Sequence, residues 1–382
     1  MPSHSLVWVS SMRQVAAPLR GPAKAGSETP AETLGFDPAR LAEATAWART
    51  QESPFPRDLP AYLASGHFEP PPGNEILGPV EPRGAPNGLI LRHGRVAARW
   101  GDTRQADRTF SVAKSCLSML AGIAVLDGLI GDLDEPVSAG VSDPAFAGPR
   151  NGAATWRMLL TQTSEWEGTL HGKSDVLDRG RDLQREGKAP KGWERPLEPP
   201  GSHWEYNDVR VNALSLALML RFGRPLPEVW AERIMRPAGG SGEWSWDGYR
   251  TASVTLPNGR TALSVPGGTH WGGGLRTHAE DQARLGLLML AGGIWEGRRI
   301  LPPGWVAASG TPCPLHEDYG LLWWLNRSGR FPEADRESLF AQGAGGNVIW
   351  VEPATRIVAV FRWLDPAALP GIIARISRAR TI

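Results

Sequence analysis

The sequence predicts an α+β fold in which segments from the two ends of one domain share a sheet, with helices between them. Three observations carry this prediction. NGLILRHGRVAARWG, residues 87–101, has the pattern of two strands joined by a turn, and NVIWVEP and RIVAVFRWL near the C-terminus are alternating or continuously apolar. Nearly everything between reads as helices and Gly/Pro-rich loops.

In chain order, residues 1–33 are rich in Ala, Pro, Ser and Gly without periodicity and read as a loosely held tail ahead of one domain, 34–382. Asp37 and Pro38 look like the N-cap and first position of a helix over ARLAEATAWART. A Pro-rich connection, 54–86, leads to the hairpin, which turns at His93 and Gly94. TFSVAKSCLSMLAGIAVLDGLI, 109–130, follows as a buried helix whose uncharged part, 115–126, is too short to cross a bilayer. Residues 132–266 alternate apolar segments such as VRVNALSLALMLRFG with loops and read as a mostly helical insert. RTHAEDQARLGLLMLAGG is an amphipathic helix, LPPGWVAAS a short one, and DYGLLWWLN the first of three late strands.

The 382 residues and 41% hydrophobic content allow a sizeable core. A net charge of +1 gives no basic face for nucleic acid. Cys116 and Cys313 lack disulfide-framework or metal-type spacing, and no basic n-region precedes an apolar run near Met1, so the chain reads as cytoplasmic. Only five of the 41 basic residues are lysine, at 24, 114, 173, 188 and 191; the other 36 are arginine. A lysine at 114 is therefore a choice for a group that can give up its proton, which arginine cannot.

Ser111 and Lys114, three apart on a helix, face the same way. A serine hydroxyl needs activation, and burial in an apolar setting lowers a lysine pKa, so the pair makes a nucleophile and its base. The same spacing fits a helix cap beside a lysine reaching for solvent. G-x-S-x-G and H-E-x-x-H are absent, which disfavours an α/β-hydrolase and a simple zinc site. In HWEYNDVRVN, Tyr206 is a candidate proton relay, and Asn207 or Asp208 a partner for the lysine or a substrate amide, or else a helix N-cap. In FAQGAGGNVIWVEP, glycines 343, 345 and 346 let a ligand approach the backbone, and a main-chain N–H there can face a developing oxyanion.

This ordered set, with flanks such as DGLIGDLDEPV, MLLTQTSEWEG and GGLRTHAEDQARLGLLML, resembles the serine β-lactamase and penicillin-binding-protein superfamily, class C and esterase-type branch. The resemblance spans about residues 35–365. It implies the β-lactamase/transpeptidase-like fold, an antiparallel sheet with flanking helices, and a cofactor-free, metal-free acyl-enzyme hydrolase acting on a small ester or amide. Ser111 would attack, Lys114 and Tyr206 would move the proton, and the N–H groups of Ser111 and Ala344 would form the oxyanion hole. Two positions depart from the family pattern. Asp208 stands where an asparagine is usual, and Gln342, ahead of Gly343 and Ala344, replaces a cation that holds substrate carboxylates. GAGGN, 343–347, looks like the turn of the branch with 6-aminohexanoate-dimer hydrolases and related carboxylesterases. Asn207, Asp208, Gln342, Gly343 and Gly345 are candidate substrate contacts, with Trp166, Trp193, Trp204 and Trp271 as walls of an acyl pocket. A β-lactamase or DD-peptidase, an acyltransferase, and a non-catalytic sensor on the same fold remain the other readings.

Overall fold

A computed structural model describes residues 28–181, 183 and 191–381. Helix α1, Pro38–Thr50, starts as expected, the Asp37 carboxylate accepting from the N–H groups of Ala39 and Arg40. The hairpin forms β1, Asn87–Arg92, and β2, Arg95–Trp100. Next come β3, Asp107–Arg108, and α2, Val112–Leu126. The middle of the chain supplies α3, Asp208–Phe222, then β4, Ser245–Asp247, β5, Gly274–Thr277, and α4, Ala279–Leu290. It closes with β6, Trp324–Leu325, β7, Leu339–Gly343, β8, Asn347–Glu352, β9, Ile357–Arg362, and α5, Leu369–Ala379.

Six strands form one sheet in the order β6-β7-β8-β9-β1-β2, every neighbouring pair antiparallel. In it β1 lies against β9, with Asn87 opposite Arg362 and Leu91 opposite Val358, so the two ends of the domain share the sheet as predicted. The strand period of two sorts the side chains. Leu89, Leu91, Val358 and Val360 join the core of α2, α3 and α4, while Ile90, Ile357, Ala359 and Phe361 pack with α1 and α5. Both faces are buried, at roughly 25 cal/mol per Å² of apolar surface removed from water. A small second sheet, β3-β5-β4, feeds the chain into α2.

Several boundaries differ from the sequence reading. Residues 1–27 of the proposed tail lie outside the described residues, but its end is already docked: Thr29 N–H donates to Val96 O at 2.8 Å, and Leu34 is buried in a 3₁₀ turn. Between 132 and 266, α3 is the one long helix among the described residues, and Gly- and Pro-rich connections make up much of the rest, so the segment is less helical than its sequence indicates. The chain contributes β7 and α5 as well, which the sequence reading did not separate. Among the described residues no helix is long and apolar enough to cross a membrane.

Candidate active site

The serine is delivered by a strained turn. Thr109 N–H bonds to Leu275 O of β5 at 2.9 Å, and Phe110 then adopts a φ of 51°. That left-handed conformation costs a residue with a side chain about 1–2 kcal/mol. Edge-on packing of the Phe110 ring against Phe55 and Trp363, at centroid distances of 5.9 and 6.1 Å, holds it in place. Ser111 follows at the head of α2, and its side chain makes no capping hydrogen bond, which removes the capping alternative.

One helical turn on, buried Lys114 donates from Nζ to Ser111 Oγ at 2.9 Å and to Gly267 O at 3.2 Å, and its third partner is Asp208 Oδ1 at 2.6 Å. Two hydrogen bonds and one ion pair thus surround the ammonium. Burial lowers the lysine pKa, but the charge and hydrogen bond of Asp208 outweigh it and raise it above the ordinary value. The expected depression of Lys114 is therefore reversed, and it is the carboxylate in the usual asparagine position that reverses it. Burial also opposes the Asp208 charge, yet Lys114, His270 and Arg181 hold its carboxyl far below the usual carboxylate range.

Tyr206 lies beneath the same ammonium, its ring centroid 4.9 Å from Lys114 Nζ. Burial pushes its phenol up, against the pull of Lys114 and of a hydrogen bond with Ser111. At neutral pH the resting set is a serine hydroxyl, an ammonium, a phenol and a carboxylate.

Behind Asp208 lies a buried belt of charge drawn from distant segments. His270 Nδ1 is 3.3 Å from Asp208 Oδ2, and its Nε2 is 3.3 Å from Arg181 Nη2. Burial pushes His270 down to about 4, so it is neutral and its Nε2 can accept from Arg181. Its ring stacks on Phe68 at 4.0 Å. Asp178 accepts from the Asp208 N–H at 2.8 Å, and Lys191 Nζ sits 2.8 Å from both Asp178 and Glu69. Burial raises the Glu69 carboxyl to about 7 against that ammonium. Glu69, Asp178 and His270 have metal-like spacing, with ligand atoms within 4.8 Å of one another, but Lys191 already supplies their cation.

The β7–β8 turn lies against the serine's backbone. A Cβ on Gly343 would stand 2.1 Å from Thr109 O and 3.1 Å from Ser111 N, so only glycine lets β7 lie against the serine's backbone. Buried Arg362 donates to Asn347 Oδ1 at 2.7 Å, and Asn347 Nδ2 donates to Ala344 O at 2.8 Å. This chain of bonds holds the Ala344 carbonyl in the turn, and Ala344 and Ser111 line the same cavity.

A cavity of about 610 Å³ opens over these groups, lined by Ser111, Tyr206, Gln342, Gly343 and Ala344. Its aromatic wall is Trp204 and Trp324, the latter stacked on Tyr206 at 5.6 Å. Of the four tryptophans proposed for an acyl pocket, only Trp204 lines it. Trp166 is buried with its Nε1 donating to Ala145 O at 2.7 Å, Trp271 is fully buried in the core, and Trp193 is exposed. Asn207 is not a substrate contact either: it caps α3 through Val209 and Arg210 and donates to Asp175 O. Gly345 serves the turn, at φ 74° with Trp363 and Phe55 where a Cβ would go. Cys116 is buried, and desolvation pushes its thiol up, away from reactivity.

A beta-lactamase family model matches residues 89–363, which takes in α2, the Tyr206 loop and the β7–β8 turn. The chain belongs to the beta-lactamase family. It is 25% identical over 325 residues to the 6-aminohexanoate-dimer hydrolase of Paenarthrobacter ureafaciens, covering 76% of this chain and 77% of that one. Among solved structures it is similar to EstCE1, a hydrolase with promiscuous acyltransferase activity, with a TM-score of 0.57 at 17% identity over 89% of this chain and 98% of that one. It is also similar to a beta-lactamase from Mycobacterium bovis, TM-score 0.54, 18% identical, covering 79% and 97% of the two chains. At such identities the structural likeness concerns the fold alone. Within this beta-lactamase-family fold, the sequence reading missed Arg181, His270, Lys191, Glu69 and Trp324; the rarity of lysine is the signal that could have found position 191.

Proposed function

We propose that this beta-lactamase-family hydrolase cleaves small esters or linear amides through an acyl intermediate on Ser111. The observation that carries the reading is the contact set at the cavity floor, Ser111 Oγ at 2.9 Å from Lys114 Nζ, with Asp208 at 2.6 Å behind it. The kinship to an amide-cleaving 6-aminohexanoate-dimer hydrolase points the same way.

The resting charges suggest how the proton moves. With Lys114 held as an ammonium, the role of carrier falls to Tyr206. Ser111 Oγ attacks the substrate carbonyl carbon and passes its proton to Tyr206 Oη, while the phenol gives its own proton to the departing nitrogen or oxygen as the carbon bond to it breaks. Lys114 stabilises the charge developing on Oγ, and the N–H groups of Ser111 and Ala344 bind the carbonyl oxygen as it becomes an oxyanion. In the second half water attacks the acyl carbon, its proton goes to Tyr206, and the phenol proton returns to Ser111 Oγ. An alcohol in place of water would make the same step an acyl transfer.

Gln342 at the start of the third motif favours this substrate class over β-lactams, since it offers a carboxamide where the family usually has a cation. The test compares p-nitrophenyl acetate with the cephalosporin nitrocefin. Ester turnover with kcat/KM at least about 100-fold above that for nitrocefin is expected, a gap of roughly 2.7 kcal/mol in transition-state stabilisation. Rapid nitrocefin opening without ester turnover would overturn the reading in favour of a β-lactamase.

A further inference from the structure

Three charged side chains line the cavity, and two of them are already committed. Arg181 lies 3.5 Å from Asp208 Oδ1 and 3.8 Å from Asp178 Oδ1. Asp318 accepts from Ser328 N–H at 2.8 Å and from the Ser328 hydroxyl. The third, Arg330, is exposed and makes neither an ion pair nor a side-chain hydrogen bond with any described residue.

Its backbone is nevertheless anchored. Arg330 N–H donates to Ser328 Oγ at 3.3 Å, so the Asp318 carboxylate anchors its loop from one side. From the other, buried Asn326 exchanges hydrogen bonds with the Phe331 backbone, at 2.8 and 2.9 Å. The guanidinium lies over the Phe331 ring at 5.2 Å, and that ring packs on Phe340 of β7 at 4.9 Å. A cation held at a cavity rim by its own loop has lost part of its rotamer freedom before any ligand arrives.

Beside the main cavity is a narrower cleft of about 110 Å³, and Arg330, Gln342, Gly343 and Pro366 line both. Its remaining walls are mostly apolar, among them Val348 and Leu369. Gln342 of β7 and Arg330 line both spaces, so a substrate arm that runs from Ser111 Oγ into the cleft passes them. Apolar walls with one planar cation and one amide donor suit an arm that ends in a carboxylate, which an arginine fork can bind bidentately.

We propose that the substrate carries a carboxylate on the arm lying along β7, bound by Arg330 with help from Gln342. This rests on the ester or amide hydrolase reading above.

Two matched ester pairs test it. Phenyl acetate against 3-acetoxybenzoate places the carboxylate on the leaving arm, and p-nitrophenyl hexanoate against mono-p-nitrophenyl adipate places it on the acyl arm. For at least one pair, native protein is expected to favour the carboxylated member in kcat/KM. In Arg330→Ala the ratio of carboxylated to neutral falls at least tenfold, and Arg330→Lys retains part of it. The preference should weaken as salt rises. A ratio unchanged by Arg330→Ala, or no preference in either pair, overturns the inference while Ser111-dependent turnover of the neutral esters leaves the hydrolase reading standing. Absence of turnover for all four esters removes both.

Discussion

Lys114→Met lowers kcat/KM for p-nitrophenyl acetate by roughly 10³-fold or more, the scale lost when a group that stabilises developing charge is removed from a water-poor site. The substitution keeps much of the side-chain volume in α2 but deletes the charge 2.9 Å from Ser111 Oγ. It also leaves the buried Asp208 carboxylate without its 2.6 Å partner, which costs about 3–5 kcal/mol when a buried pair loses one member. Denaturant unfolding will show that loss, and a rate measurement alone would not separate it from the catalytic one. Lys114→Met combined with Asp208→Asn separates them, because it removes the orphaned charge. Stability is expected to recover in the double variant while the rate does not. Recovery of both would make Lys114 a structural residue only.

Asp208→Asn alone shifts the pH dependence, and the direction of the shift distinguishes two roles for Lys114. In the native protein Lys114 and Tyr206 both titrate above their ordinary values, so the ammonium and the phenol persist through neutral pH and activity declines only on the far alkaline side. Removing the carboxylate deletes the influence that outweighs burial, so the lysine pKa falls. If the ammonium is the working form, the alkaline decline of kcat/KM moves to lower pH, by about one pH unit for each unit the lysine pKa falls. If Lys114 works as a free amine, the variant is instead more active near neutral pH, with a rising limb. The pH profile of kcat/KM from about pH 6 to pH 10 reads the two outcomes apart, because it reports the free enzyme's essential groups.

The sequence carried most of the sheet. The hairpin and the last two strands are written in a period of two, and α2 in an uninterrupted apolar run. Strand β7 was hidden because LFAQG has no clear alternation of its own, yet its neighbours bury its first three residues. Helix α5 does carry Leu369, Ile372, Ile373 and Ile376 at helical spacing, but Pro370 and Gly371 sit in its first turn and obscure the start. At the site, Ser111, Lys114 and Tyr206 were legible as local motifs. The belt was not, since Glu69, Asp178, Lys191, Asp208 and His270 come together only through folding.

One compositional signal did reach further than the motif. In a chain that otherwise uses arginine, each of the three described lysines is turned inward to several acceptors. Lys173 donates to Gly73 O and Glu75 O, both at 2.8 Å, and Lys191 to Glu69 and Asp178. A compact ammonium with three donors fits such enclosed sites where a planar guanidinium does not.

The central claim is that Ser111 carries the acyl group. Incubation of the folded protein with a fluorophosphonate probe, followed by digestion after Arg108 and Lys114, releases the peptide TFSVAK with a single modifiable serine. One probe per chain, on Ser111, with labelling and ester turnover both abolished in Ser111→Ala, is the predicted result. Equal labelling or equal turnover in Ser111→Ala would contradict it, and a folded native protein that takes up no probe at Ser111 would point to a non-catalytic sensor on this fold.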